Sequence, residues 1–247
     1  MDGLVNPVAI AGRAIGPGEP CFVIAEAGVN HNGDLEMARL LIDAAAAAGA
    51  DAVKFQTFDA DRLAAADAPK AAYQQETTGA QESQRDMLRR LQLSEADHRV
   101  LMDHARAAGI LFLSSPFDEA AADLLHRLEL PAFKIPSGEV TNPPFLRHVA
   151  AMGRPVILST GMATLDEIAA AVACLDAVPL VLLHCISAYP TDPADCNLRA
   201  MATLETAFGR PTGWSDHTEG IAIVVGGGKG IVQTVVGRPT DIRAADQ

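Results

Sequence analysis

Four lysines occur in the chain, and two of them, Lys54 and Lys134, sit inside short apolar runs, AVKFQTF and AFKIPSG. An ammonium group in such a run needs an anion beside it, supplied by a neighbouring carboxylate or by a ligand. Small polar residues end comparable runs elsewhere. Ser114 and Ser115 close ILFLSS, Ser159 and Thr160 close PVILST, and Ser137 with Glu139 follow AFKIP. Ser187 and Tyr189 follow LVLLHC, while Ser215, Asp216 and His217 follow PTGW; Glu26 with Asn30, His31 and Asn32 ends the first such run, and Gln56 follows Lys54. Two ammonium groups, several hydroxyls and glycine turns describe a pocket for phosphate or carboxylate, because ammonium meets charge while hydroxyls and loop N–H groups donate hydrogen bonds. Glu26 and His217 at the same place can act as metal ligands or as acid/base groups.

Each of these residues also has an ordinary structural reading. A lysine ending a strand can pair with an adjacent acid such as Glu139. Ser159 and Thr160 before Gly161 can be a helix cap, and His184 inside LVLLHC reads as a satisfied, partly buried histidine. His31, His98, His104, His126 and His148 read as solvated residues of helices or loops, and Tyr73 and Trp214 as packing aromatics. No single residue decides the matter; their common position at the ends of apolar runs does.

Something must bring those ends together. From Cys21 onward, β-type runs (CFVIAE, AVKFQTF, ILFLSS, AFKI, PVILST, LVLLHC, PTGWS) alternate with helical stretches, the pattern of βα units around a parallel sheet. Asp34, Ser94, Asp118, Asn142 and Thr164 stand at helix starts, and Gly49, Gly109 and Gly153 close helices before the next strand. Continuous apolar strands belong in a sheet covered on both faces. A (β/α)8 barrel fits best; a doubly wound sheet is disfavoured because no GxGxxG follows the first strand. Residues 1–20 are expected to form a capping hairpin, 21–220 the barrel, and 221–247 a divergent tail. The glycines in IAIVVGGGKG make a poor helix, and IVQTVV is the one candidate for an eighth strand, so the barrel is expected to be incomplete at strand 8 and helix 8.

Nineteen Lys+Arg against 31 Asp+Glu give a formal charge of -12 over 247 residues, which disfavours nucleic acid and anionic membranes as partners. No stretch is apolar enough to span a bilayer, and the N-terminus lacks the features of a signal peptide, so a cytoplasmic location is expected. Cys21, Cys174, Cys185 and Cys196 form no CxxC pair and read as reduced structural thiols.

The segments FVIAEAGVNHNGD, GADAVKFQTF, SSPFDEAAADLL, FKIPSGEVTNPPFL, PVILSTGMATLDEI, LLHCISAYP, NLRAM and GWSDHTEG together resemble the sialic acid (N-acetylneuraminate) synthase family from about Cys21 to Gly220. That resemblance implies a TIM barrel that condenses phosphoenolpyruvate with an N-acylated amino hexose, N-acetylmannosamine or a related diacetamido sugar, to a sialic-type acid and phosphate. It implies a divalent metal, Mn2+ or Mg2+, and a homodimer. By residue, it places Lys134, Ser137, Ser159, Ser187 and Ser215 around the phosphate and Lys54 and Ser115 near the carboxylate. It also places Gln56 and Tyr189 at the sugar, Glu26 beside the reacting centre and His217 on the metal.

The sequence departs from that family at Pro136 and Ser115, where alanine and threonine are usual, and more seriously after Gly220. The family continues with a strand like IEKHFT, which brings a second metal histidine, then GPDH and a small antifreeze-like domain. Aligning IVQTVV with that strand puts Gln233 and Val235 at the glutamate and histidine positions. A shifted reading frame near residues 220–228 is one account and a true short form the other. The alternatives to the synthase are an inactive or weakly active homologue that binds phosphoenolpyruvate, and a Schiff-base aldolase using Lys134 as the amine.

Overall fold

The computed structural model describes residues 5–65, 83–220, 223 and 230–235. Two short antiparallel strands, β1 (Val8–Ile10) and β2 (Arg13–Ile15), form the N-terminal hairpin. The strands that follow are β3 (Phe22–Gly28), β4 (Ala52–Thr57), β5 (Leu111–Pro116), β6 (Phe133–Ile135), β7 (Val156–Ser159), β8 (Leu180–Cys185), β9 (Thr212–Ser215) and β10 (Ile231–Val235). These eight are joined in the order β5-β4-β3-β10-β9-β8-β7-β6, and all the pairings are parallel. β5 and β6 lie against each other without ladder pairing, so the barrel is nearly closed.

The eighth strand corrects the expectation of a break at that point. Ile231–Val235 runs in register with Phe22–Glu26 on one side and meets Trp214 and Ser215 on the other, so IVQTV joins β9 to β3. The residues that would form the eighth helix lie outside the described residues, as do Lys70, Lys229, Tyr73 and the glycine run 226–228.

Most helices start where the sequence predicts. In α1 (Leu35–Ala47), Asp34 accepts the backbone N–H groups of Glu36 and Met37. Besides two short segments, α2 (Ala60–Leu63) and α3 (Gln84–Leu91), the chain forms α4 (Glu95–Ala107), capped by a Ser94–Asp97 box, and α5 (Glu119–Arg127), capped by Asp118. Asn142, Thr164 and a left-handed Gly209 bound α6 (Pro143–Ala151), α7 (Leu165–Cys174) and α8 (Ala200–Phe208). Each cap satisfies N–H or C=O groups that a helix end leaves open.

Alternation along the strands sorts their side chains into two cores. Ile24, Ala52, Leu113, Ile157, Leu183 and Ile231 fill the barrel interior, closed at the strand N-termini by Val8, Ile10 and Ile15 of the hairpin. Val53, Phe55, Phe133, Leu158 and Leu182 face outward against helix residues such as Leu41, Leu101 and Leu146. Because the side-chain period is two, the residue two places beyond each interior apolar residue must also face the axis. No helix among the described residues is long and apolar enough to cross a membrane.

Candidate functional site

Stepping two residues from the interior layer toward the strand C-termini brings one polar or thiol side chain from every barrel strand to the C-terminal mouth, staggered by the strand register. These are Glu26, Lys54, Ser115, Lys134, Ser159, Cys185, Ser215 and Gln233. Seven of the eight are buried, Glu26 being only partly so. A layer so polar above an apolar plug is the mouth of a (β/α) barrel, the end at which barrel enzymes build their sites.

The two lysines share this mouth but differ in their partners. Lys54 Nζ forms an ion pair with Glu26 and donates to Ser115 Oγ at 3.1 Å. Its partner is therefore Glu26, across the β3–β4 register, and not Glu139, which instead accepts from Asn142 Nδ2 at 2.8 Å. Lys134 is 4% exposed and makes no hydrogen bond or ion pair among the described residues. Burial, with the nearby Lys54 charge, pulls its pKa down from 10.5 to about 8. The more distant Glu26 charge opposes this only in part, so the ammonium lacks a direct ion-pair partner.

Glu26 is aimed by its backbone. The β3–β4 register shifts between Glu26 and Gly28, a bulge of the kind that redirects side chains near functional sites. Gly28 has φ +51°, and a Cβ there would lie 3.1 Å from Glu26 Oε1; glycine gives the carboxylate its space. Gln56 Nε2 lies on the other side of the same point.

Opposite, Ser137 stands on a 3-10 turn after β6, and its Oγ accepts the Gly161 N–H at 2.9 Å and lies 3.1 Å from Cys185 Sγ. Ser159 Oγ is buried and unpartnered. Gln233 Nε2 donates to Ser215 Oγ at 3.4 Å, while Gln233 Oε1 is buried without a partner. Ser187 is half-buried, its Oγ against Gly161.

His217 and Tyr189 sit together on the rim, with rings 4.3 Å apart and Tyr189 60% exposed. His217 Nδ1 donates to the Ile186 carbonyl at 2.7 Å when the ring is neutral, the form favoured by burial, which lowers its pKa. That tautomer leaves Nε2 as an acceptor, the form a metal ligand needs. With Glu26 it makes two donors. No group of three His, Cys, Asp or Glu residues able to hold a metal ion occurs among the described residues.

Other sequence-predicted residues play supporting parts. Ser114 faces outward, and Asp216 accepts from Trp214 Nε1 at 3.0 Å and from Thr218. His184 is half-buried with Nε2 2.9 Å from the Cys196 carbonyl. His31 and His98 correct the expectation of solvated histidines: both are fully buried, and burial depresses their pKa values, His31 to about 4. His98 Nδ1 donates to the Ser94 carbonyl at 2.8 Å, so Nε2 accepts from Thr57 Oγ1 at 2.7 Å, which in turn contacts Ser114 Oγ at 2.7 Å. This chain braces the outer face of β4 and β5 behind Lys54, Gln56 and Ser115. Cys185 and Gln233 are the members of this polar set that reading the sequence alone did not place in the site. A cavity of about 540 Å³ flanks the mouth between the β7 and β8 loops and α8, but neither lysine lines it.

The fold and the polar mouth are those of a (β/α) barrel of the kind that builds enzyme sites at its strand C-termini. The chain belongs to the NeuB family, whose sequence pattern matches residues 41–228. It is 49% identical over 213 residues to the N,N'-diacetyllegionaminic acid synthase of Legionella pneumophila, covering 82% of this chain and 59% of that protein. It is 36% identical over 217 residues to human N-acetylneuraminate-9-phosphate synthase, covering 87% of this chain and 60% of that protein. The crystal structure of the sialic acid synthetase of Leptospira borgpetersenii superposes with a TM-score of 0.85 at 31% identity, covering 98% of this chain and 82% of that one. The chain spans about six tenths of the length of these curated relatives.

Proposed function

We propose that this mouth binds phosphoenolpyruvate and condenses it with an N-acylated amino hexose, giving a nonulosonic acid and inorganic phosphate. The single observation that carries the reading is Lys134: a buried lysine with no hydrogen bond or ion pair among the described residues, near enough to Lys54 to feel its charge and at the same strand ends as several serine hydroxyls. In this reading Lys134, Ser137, Ser159, Ser187 and Ser215 receive the phosphate, and Lys54 with Ser115 the carboxylate. Gln56 and Tyr189, on the open side of the mouth, meet the sugar.

The enol C3 attacks the aldehyde carbon of the open-chain sugar, forming a C–C bond and leaving positive charge at C2. The former aldehyde oxygen takes up a proton; water adds to C2 and gives up a proton, and as the C2–O bond to phosphate breaks the C2 hydroxyl loses its proton to become the ketone, phosphate leaving with the bonding pair. Glu26 stands where it can orient that water and take its proton, and Lys54 holds the carboxylate against the developing charge. The relatives' names support a product of the legionaminic or neuraminic type.

The divalent metal that the family resemblance implies is not accommodated by the described residues. His217 and Glu26 offer two donors, and position 235, level with Glu26 on β10, carries valine. No step is therefore routed through a metal. Val235→His combined with Gln233→Glu is expected to create Mn2+ affinity, read by calorimetry, that the unaltered chain lacks; equal affinity in both would show that other residues complete the set.

Phosphate release from phosphoenolpyruvate across a panel of N-acetylmannosamine and diacetamido hexoses tests the reaction. Calorimetric binding of phosphoenolpyruvate without turnover would assign the chain as an inactive binder. A depressed lysine pKa also suits an amine nucleophile, so borohydride with pyruvate discriminates the Schiff-base aldolase: a covalent adduct on Lys134 would replace the synthase reading.

A further inference from the structure

Ser137 has a hydrogen-bonding arrangement that restricts what it can offer. A hydroxyl carries one proton and two lone pairs. One lone pair of Ser137 Oγ takes the Gly161 N–H, and Cys185 Sγ lies 3.1 Å away. If Ser137 donated to sulfur, its proton would be spent. If the thiol donates to oxygen, both lone pairs are used and the hydroxyl can only donate, outward into the mouth.

The surroundings favour the second arrangement. Ser159, on the adjoining strand β7, is 2% exposed and faces the same mouth, and its Oγ has no partner. Lys134, on the other neighbour of β7, brings a positive charge that makes no ion pair among the described residues. A hydroxyl beside them is best turned proton-outward, toward a ligand oxygen. The thiol also supports the loop that supplies the other bond: a Cβ on Gly161 would lie 2.6 Å from Cys185 Sγ and 2.7 Å from Ser187 Oγ. Cys185 therefore contacts Ser137 and the segment that fixes it.

We propose that Cys185 is a positioning residue for anion binding, its S–H donating to Ser137 Oγ and so directing the Ser137 hydroxyl proton onto an oxygen of the bound phosphate. The proposal rests on the mouth being an enol-phosphate site and asks no covalent chemistry of the thiol.

Calorimetric titration of the full chain with inorganic phosphate tests it, using the unaltered protein, Cys185→Ala, Cys185→Ser and Ser137→Ala, with a melting curve for each. Cys185→Ala is expected to weaken phosphate about three- to tenfold, the scale of one lost hydrogen bond. Cys185→Ser keeps an O–H donor and is expected to stay within about twofold of the unaltered chain, a rescue that packing alone would not give. Phosphate affinity unchanged in Cys185→Ala, or lost equally in Cys185→Ser, overturns the role of Cys185. Affinity unchanged in Ser137→Ala overturns the site reading itself.

Discussion

Lys54 and Lys134 stand at the same mouth of one barrel, yet the protein treats them oppositely. Lys54 is matched by Glu26 and Ser115 before any ligand arrives; Lys134 is buried to 4% exposure and makes no ion pair or hydrogen bond among the described residues, with Glu26 only a more distant opposing charge. A paired ammonium is a positioned group, whose cost of burial is met inside the fold. An unpaired one is a cost the fold carries until an anion binds, and it marks where the ligand's charge must sit. Under the proposed function, the asymmetry would orient an enol phosphate with its phosphate toward Lys134 and its carboxylate toward the Lys54–Glu26 pair.

Removing the unpaired charge should have the largest effect. Lys134→Met is expected to reduce affinity for phosphoenolpyruvate at least 100-fold, in line with a buried charge-assisted contact, measured by calorimetry. The same change should raise the melting temperature at pH 7 by a few degrees, because it deletes a buried charge that has no direct ion-pair partner. A variant that binds normally would break the comparison.

The matched lysine should behave the other way. Lys54→Met strands the Glu26 carboxylate and is expected to cost about 3 kcal/mol of stability, read by denaturant unfolding. Adding Glu26→Gln should restore most of that. If the double variant is no more stable than Lys54→Met alone, the pair is not what holds Lys54 in place.

Why the sequence displayed one lysine's role more clearly than the other's is a matter of distance along the chain. Strand ends, caps and the polar residues that follow them are local signals, so Lys54, Ser115, Lys134, Ser137, Ser159 and Ser215 could be placed at one mouth before the fold was described. Partners are not local. Glu139, five residues from Lys134, was the nearby candidate for an ion pair, whereas the pairing that formed joins Glu26 to Lys54 through strand register. Facing is equally hidden: Ser114 and Ser115 are adjacent, and only the register turns one outward to His98's network and the other inward. Cys185 looked like filler in LVLLHC for the same reason. The eighth strand was obscured because its glycine-rich approach argues against a helix and says nothing about the β-type run behind it.

A smaller effect probes the backbone on the Lys134 side. Gly161→Ala would put a methyl group 2.6 Å from Cys185 Sγ and 2.7 Å from Ser187 Oγ, and relief requires the loop to withdraw from Ser137. Phosphate affinity is expected to fall about tenfold with a stability loss of about 1–2 kcal/mol, the scale of local overpacking. Gly28→Ala, on the Lys54 side, crowds Glu26 Oε1 at 3.1 Å and imposes φ +51° on alanine; it should lower stability by about 1 kcal/mol or more and spare phosphate affinity. Equal losses of affinity from both would mean that the two sides do not act separately.

The subtlest test follows the proton on Lys134. With its pKa lowered to about 8 by burial and by Lys54, the amine is roughly half-protonated at pH 8 in the free protein, and a bound anion holds it in the charged form. Binding should therefore draw protons from the buffer, up to about half a proton per anion at pH 8 and nearly none at pH 6. Sulfate is the suitable probe because it does not titrate in this range, and the uptake appears as a calorimetric enthalpy that differs between buffers of unlike ionisation heat. The unliganded fold should show the converse. The folded value lies below the unfolded 10.5, so between about pH 8 and 10.5 the unfolded chain binds more protons, and this group's contribution makes stability rise across that window. At pH 7 both states hold the proton and the full penalty of burying the charge is felt. An uptake that persists undiminished in Lys134→Met would assign the proton to another group and remove the basis for treating Lys134 as the charge left open for the ligand.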